Sequence, residues 1–161
     1  VAVFLLASGL FAGIVLKSFP IDRPTAHVRK TNRTTGDCSR TSRLLVLNRY
    51  PPATIFTFND LGPRIIVVTH HSAVSGPYHR NGDAILDVHH AFQRSPDQAR
   101  AIIARHNASM VMICPGNAES TIHRARAPNG FYAQLARGQV PAWLTPLPLP
   151  RGAPYRLYRI N

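Results

Sequence analysis

The chain has 161 residues, 45% of them hydrophobic, and a formal net charge of +12 at pH 7. A chain of this length and apolar content can bury a core of its own, which excludes disorder throughout. Almost all of the positive charge is arginine, since Lys17 and Lys30 are the only lysines. Such an excess indicates either an anionic partner, such as phospholipid headgroups, lipid-linked phosphates or nucleic acid, or a solvated basic surface.

The first 16 residues are apolar and uncharged, and a helix of that length extends about 24 Å. A full membrane span needs about 20 residues, so Phe19 or residues upstream of Val1 would have to complete it. We favour a transmembrane helix over residues 1–19. The apolar core of a signal peptide and a buried helix are the alternatives. Because the chain begins at Val1 rather than Met, we expect a processed product or a piece of a longer protein.

Residues 20–43 are basic and polar, and Pro24 and Gly36 interrupt them. We therefore predict a basic linker without regular structure. A short helix is expected after it, ending near residue 49. The remainder of the chain, residues 44–161, is predicted to form one soluble α/β domain.

Two apolar runs rich in β-branched residues, at 54–58 and 65–69, predict strands. The second run is continuously apolar, as expected of a strand covered on both faces. Residues 83–92 are typical of an amphipathic helix. Another helix begins at Ser95, because a capping serine is followed by proline at the first helical position and an acid in the first turn. Asn107 suits the end of that helix.

A third buried strand is predicted at residues 110–114, followed by two short helices at 118–126 and 130–137. A proline-rich strap then covers residues 140–150. Residues 155–160 alternate between polar and apolar, which predicts a strand at the edge of the sheet. This order of strands and helices indicates an α/β fold with a small mixed or parallel sheet and flanking helices.

The loop at residues 70–81 carries the densest group of polar side chains in the chain. Histidine, arginine and asparagine together can hold a phosphate, a carboxylate or a sugar hydroxyl. The alternative is a loop whose polar side chains bond its own backbone. We predict substrate contacts at the following positions in this loop: His70, His71, Tyr78, His79, Arg80 and Asn81.

Five histidines lie between His70 and His90, but their spacing matches no common metal motif and no carboxylate stands at ligand spacing beside them. We therefore expect no metal ion and no cofactor. The sequence also contains no nucleophile elbow and no glycine-rich phosphate loop. No catalytic residue is predicted.

Cys38 and Cys114 are the only cysteines. In an oxidising compartment they would form a disulfide that ties the start of the domain to the third strand. In the cytosol they would remain two thiols. We predict the disulfide, whose long loop would stabilise the fold by about 4 kcal/mol in the chain-entropy model.

From Phe58 onward the order of the motifs resembles a known family. The segment FNDLG at residues 58–62 is followed by an apolar run, a loop ending in Asn81, a helix, a capped helix that opens with SPDQ, and an apolar strand. This layout is similar to the C-terminal soluble domain of oligosaccharyltransferase catalytic subunits and related membrane glycosyltransferases of the GT-C type. It also resembles the C-terminal tail of uncharacterised polytopic membrane proteins of alphaproteobacteria, which we take as the closer resemblance.

In the oligosaccharyltransferase family the corresponding motif is Trp-Trp-Asp-Tyr-Gly, and it recognises a hydroxyl residue of the acceptor peptide. The resemblance therefore implies a substrate contact at Asp60. Phe58 and Asn59 stand where the family has tryptophans and Leu61 replaces the tyrosine, so only Asp60 and Gly62 carry over. The catalytic aspartates of the family lie in loops between early membrane helices, which implies that this domain is not catalytic alone.

The resemblance implies a polytopic inner-membrane protein whose C-terminal domain lies in the periplasm and helps to position a polar or lipid-phosphate substrate. The implied partners are membrane lipid, a lipid-linked sugar and a membrane protein. The predicted disulfide agrees with the periplasm, whereas the basic residues after Lys17 favour the cytoplasmic side. The alternative is a single-span accessory subunit that docks on a membrane complex through its arginine-rich surface. We do not expect nucleic acid, because aromatic residues are not interleaved with basic ones.

Overall fold

The computed structural model describes residues 25–161, apart from the side chain of Asn32. The transmembrane helix predicted at residues 1–19 lies outside this range. Within residues 25–161, no helix is both long and apolar enough to cross a membrane. A mixed β-sheet with flanking helices makes up the described part of the chain, which confirms the predicted α/β class.

Five short strands form one sheet: β1 Thr54–Phe56, β2 Ser72–Ala73, β3 Met110–Ile113, β4 Leu144–Leu147 and β5 Arg156–Ile160. Their spatial order is β2-β1-β3-β5-β4. β1 is parallel to β2 and β3, whereas β5 is antiparallel to β3 and β4. β3 occupies the middle of the sheet and all four of its residues are buried, as its continuous apolar sequence predicts.

β5 is an inner strand, so its predicted position at the edge of the sheet is wrong. The reason is β4, a strand that lies within the proline-rich strap and was not predicted. It pairs with the outer side of β5. Pro146 lies within β4. A proline is tolerated there because β4 pairs with β5 alone, and an edge strand has one side that makes no ladder hydrogen bonds.

Seven α-helices lie within the described residues: α1 Ala26–Ser39, α2 Thr41–Leu44, α3 Gly62–Val68, α4 Gly82–Gln93, α5 Pro96–Ala104, α6 Ala118–Arg126 and α7 Phe131–Ala136. Two 3₁₀ helices accompany them, at Leu45–Arg49 and His79–Asn81. Helices α4 to α7 match the predictions closely. Ser95 caps α5 through a capping box with Gln98, and Asn107 leaves the helical conformation at φ 50° shortly after α5 ends.

The second predicted strand, residues 65–69, is wrong, because most of this segment belongs to α3. Pro63 lies in the first turn of α3, where its fixed φ favours a helix. Ile65 is buried, whereas Ile66 is 51% and Val67 is 81% exposed. The apolar run therefore buries one helical face and does not cover both faces of a strand.

The prediction of a linker without regular structure is wrong for residues 26–39, which form α1. The side chain of Thr25 caps this helix by accepting a hydrogen bond from the Val28 N–H at 3.3 Å. The predicted disulfide between Cys38 and Cys114 is confirmed, with their Cα atoms 6.1 Å apart. It joins the last turn of α1 to the end of β3, so α1 is attached to the sheet.

Aromatic rings fill the core beside β1. The rings of Phe58 and Phe92 have centroids 5.2 Å apart, and Phe56 meets Phe92 at 5.6 Å in an edge-on arrangement. Phe92 belongs to α4 and Tyr132 to α7, and both are fully buried. This packing brings the segment that follows β1 against α4 and α6, where several buried polar side chains meet.

Candidate functional site

The segment FNDLG at residues 58–62 connects β1 to α3. Four of its five residues are buried, and Asp60 alone is exposed. A tight turn shapes the segment, since the Leu61 N–H donates to the Phe58 carbonyl oxygen at 3.1 Å. The buried neighbours hold the turn in place, so the Asp60 side chain is the one that this segment exposes to solvent.

Gly62 meets the backbone of the following loop at very short range. A Cβ placed on Gly62 would lie 1.8 Å from the carbonyl oxygen of Ser75, far inside any allowed contact. A hydrogen bond from the Ser75 hydroxyl to the Asn59 side-chain oxygen ties the same loop to the motif. Glycine is therefore required at position 62 because no larger residue lets the two segments approach this closely.

Glu119, in the first turn of α6, lies directly behind Asp60. Its Oε2 accepts a hydrogen bond from the Asp60 backbone N–H, and its Oε1 accepts one from Asn59 Nδ2, each at 3.3 Å. Asn59 Nδ2 also lies 3.4 Å from the Nε2 atom of His89. We call Asn59, Asp60, His89, Glu119 and His123 the Asp60–Glu119 cluster.

Glu119 is only 7% exposed. Burial and, after it, the negative charge of Asp60 raise the pKa of its carboxyl to about 7, against hydrogen bonds from Asn59 and Asp60 that favour the ionised form. Near neutral pH the Glu119 carboxyl therefore exists in both protonation states. It can accept hydrogen bonds when ionised and donate one when protonated.

Two histidines complete the Asp60–Glu119 cluster. His123 is fully buried and stacks on Phe58 with ring centroids 5.5 Å apart, and neither ring nitrogen has a hydrogen-bond partner among residues 25–161. Burial first, and then the charges of His89 and Arg126, lower its pKa to about 4. Burial, followed by the Arg126 charge, also lowers the pKa of His89. Both imidazoles are therefore neutral at pH 7.

The cluster suits hydrogen bonding to a polar ligand. It offers an exposed carboxylate at Asp60, a carboxyl of variable protonation at Glu119 and a neutral imidazole at His89, which together can bind hydroxyl or amide groups. Within residues 25–161, no group of three or more histidine, cysteine, aspartate or glutamate side chains is arranged to hold a metal ion.

His70 and His71 bond to the segment before β1 and not to this cluster. The Nε2 atom of His70 lies 2.8 Å from the Tyr50 carbonyl oxygen, and that of His71 lies 2.9 Å from the Leu47 carbonyl oxygen. His71 is buried. Within the described residues these contacts attach the loop to its own domain, and substrate contact at the two histidines stays a prediction.

The rest of the predicted loop site lies beside α4. Tyr78, His79 and Arg80 are exposed, and Asn81 is half-buried. Arg80 and Asn81 line a shallow depression of about 460 Å³ together with His106. No hydrogen bond links these loop residues to Asp60 in the part of the chain described. The predicted site residues therefore fall into three groups: Asp60, the two histidines bonded to the segment before β1, and this loop beside α4. Substrate contact at this loop stays a prediction.

The sequence pattern did not reveal Glu119 as a partner of Asp60. The two residues are 59 positions apart, and within its own helix Glu119 is simply a favourable acid in the first turn of α6. A signal was available, since Glu119 is the only glutamate in the chain and follows a capping asparagine. That signal predicts a helix start, whereas only the packing of α6 on the FNDLG segment shows the pairing.

The fold is similar to a solved structure, the C-terminal globular domain of an oligosaccharyltransferase from Archaeoglobus fulgidus. The TM-score is 0.53 at 11% sequence identity, and the match covers 86% of this chain and 99% of that chain. No family model and no curated protein matches the sequence. At this identity the likeness establishes the fold alone. The resemblance to alphaproteobacterial membrane proteins stays a prediction.

Proposed function

We propose that this chain is the non-catalytic C-terminal domain of a membrane glycosyltransferase and helps to position a polar or lipid-phosphate substrate. Two observations support the proposal: the likeness in fold to an oligosaccharyltransferase domain and the position of the FNDLG segment. The single observation that carries it is the exposed Asp60 carboxylate held in front of a buried, hydrogen-bonded Glu119.

The geometry suits recognition more than bond cleavage. The hydrogen bond from the Asp60 N–H to Glu119 fixes the backbone of the turn, and burial of Asn59 fixes its base. Asp60 can then accept hydrogen bonds from a hydroxyl or amide group without its backbone losing conformational freedom on binding. Glu119, with its pKa near 7, can adjust its protonation to the ligand that Asp60 binds.

The proposed location is the periplasmic side of an inner membrane. The disulfide between Cys38 and Cys114 supports it, because structural disulfides persist in oxidising compartments and are rare in the cytosol. In this proposal the membrane helix predicted at residues 1–19 attaches the domain to the membrane, and lipid-linked sugars reach it from that side.

The test is glycosyl transfer by the full-length protein in membranes, from a lipid-linked sugar to a polar acceptor. We expect Asp60→Asn to raise the KM for the substrate that Asp60 contacts by about tenfold, because one charge-assisted hydrogen bond is lost. The kcat should change little. Asp97→Asn is the matched control, since Asp97 is an exposed aspartate on α5. The control should retain the wild-type KM.

Equal KM values for Asp60→Asn and the wild type would contradict the positioning of substrate by Asp60. A full-length protein that transfers no sugar but copurifies with a separate membrane complex would favour the accessory-subunit interpretation instead. Residues 25–161 alone should show no transfer, because the proposal assigns the catalytic groups to other parts of the protein.

A further inference from the structure

A groove of about 260 Å³ lies between α1 and the start of α6, on residues that the Asp60–Glu119 cluster does not use. We call it the α1–α6 groove. Its walls carry basic side chains, hydroxyls and an amide, and no aspartate or glutamate lines it. Its lining includes His27, Lys30, Thr34, Gly116, Asn117 and Arg124.

The two walls of the groove are firmly joined. Thr34 Oγ1 donates a hydrogen bond to the Gly116 carbonyl oxygen at 2.7 Å, and a Cβ on Gly116 would lie 2.7 Å from the Cβ of Thr34. One helical turn further along, Cys38 is disulfide-bonded to Cys114. The groove is therefore preorganised, which lowers the entropy cost of binding a ligand in it.

Asn117 contributes a buried donor that has no acceptor. It is 0% exposed, and its Oδ1 accepts from the Glu119 N–H at 2.8 Å, which caps α6 and fixes the orientation of the amide. Within residues 25–161, its Nδ2 has no hydrogen-bond partner. A buried donor without an acceptor is destabilising, and an acceptor atom of a ligand in the groove would remove that cost.

The charge of the groove favours an anion. Lys30 and Arg124 are exposed on opposite walls, one on α1 and one on α6, and His27 lies one turn before Lys30. The N-terminus of the nine-residue helix α6 adds its partial positive charge. Glu119, the acid in the first turn of α6, bonds to Asn59 and Asp60 in the Asp60–Glu119 cluster.

We infer that the α1–α6 groove binds a phosphate group, as a monoester or diphosphate, with Lys30, Arg124 and the Asn117 amide as donors. A phosphate offers several acceptor oxygens and two negative charges, which matches separated cations around a buried donor. The phosphate could belong to a soluble phosphoester or to a lipid headgroup. This inference does not depend on substrate positioning by Asp60.

The first test titrates the full chain in neutral detergent with pyrophosphate at about 0.15 M salt, where screening suppresses long-range attraction. Isothermal titration calorimetry measures the Kd. We expect the double variant Lys30→Gln/Arg124→Gln to weaken binding by about tenfold or more. The matched control Arg100→Gln/Arg151→Gln removes the same charge from exposed positions outside the groove and should retain the wild-type Kd.

Asn117→Asp tests the groove at its buried amide, where it removes the free donor and adds a negative charge. Aspartate keeps an oxygen that can cap α6 but replaces the free donor with an acceptor. We expect this variant to lose pyrophosphate binding while circular dichroism shows the helical content of the wild type. Equal losses in the groove variants and the arginine control, or wild-type affinity in Asn117→Asp, would overturn the inference.

Competition with short-chain lipids distinguishes the two sources of phosphate. If dihexanoyl phosphatidic acid displaces pyrophosphate more strongly than inorganic phosphate does, the result supports a lipid headgroup. Displacement by inorganic phosphate alone would support a soluble phosphoester. Dihexanoyl phosphatidylcholine is the control, because its phosphate is a diester and carries a positive neighbour. If neither pyrophosphate nor phosphatidic acid binds the wild type, the groove is not a phosphate site.

Discussion

The Oε2 atom of Glu119 accepts a hydrogen bond from the backbone N–H of Asp60 at 3.3 Å, although the two residues belong to segments 59 positions apart. The contact brings two carboxyl groups together, one exposed and one buried. Burial and the charge of Asp60 raise the pKa of Glu119 to about 7. This pairing links the stability of the fold to pH and underlies the first prediction.

Glu119→Gln should change the response of stability to acid. Because the pKa of Glu119 is raised from 4.5 to about 7, its contribution to stability is full below pH 4.5 and is lost as the pH rises towards 7. The variant lacks this contribution. As the pH falls from 7 to 4.5, we expect the wild type to gain on the order of 3 kcal/mol in the free energy of unfolding relative to the variant, measured by urea unfolding. Parallel pH profiles would contradict this prediction.

His123→Phe should have the opposite signature. The pKa of His123 is lowered from 6.5 to about 4, so its contribution to stability is full above pH 6.5 and is lost as the pH falls towards 4. Phenylalanine retains an aromatic ring beside Phe58 and has no nitrogen to protonate. We expect the variant to exceed the wild type by on the order of 2 kcal/mol at pH 5 and to differ by less than about 1 kcal/mol at pH 8. A difference that is the same at both pH values would contradict this assignment.

Gly62→Ala should be strongly destabilising because its Cβ would overlap the Ser75 carbonyl oxygen at 1.8 Å. We expect a loss of on the order of 3 kcal/mol in the free energy of unfolding. Gly82→Ala is the matched control, since Gly82 has helical backbone angles and a Cβ placed on it would meet nothing within 4 Å. That variant should gain about 0.5 kcal/mol. Similar stabilities for the two variants would show that the loop does not approach Gly62.

Cys38→Ser/Cys114→Ser should lower the free energy of unfolding by about 4 kcal/mol, because the 76-residue separation makes the closed loop long. Relative to the wild type, hydrogen exchange in the variant should speed up more in α1 than in β3. The reason is that α1 would then be held to the sheet mainly by hydrogen bonds such as that from Thr34 to Gly116. Chemical reduction of the wild type should reproduce the stability of the variant. Unchanged exchange in α1 would show that the disulfide is not needed to hold it.

Local signals in the sequence were sufficient for the later helices and the central strand. Ser95 and Gln98 start α5 through interactions within one turn, and β3 is apolar at every position because both of its faces are covered. The cysteine count predicted the disulfide, because a chain with two cysteines has one possible pairing. The resemblance at the FNDLG segment implied a substrate contact at Asp60, which stays a prediction.

What the sequence by itself determined is therefore whatever depends on neighbours a few residues apart: caps, apolar periodicity and the α/β class. Tertiary structure alone decided that residues 62–68 form a helix, that β4 lies outside β5, and that Glu119 stands behind Asp60. An apolar run fits a strand or a helix equally well until its surroundings show which side chains can be buried. The partner of a buried polar group is set by the packing of distant segments, so the spacing of residues along the chain does not predict it.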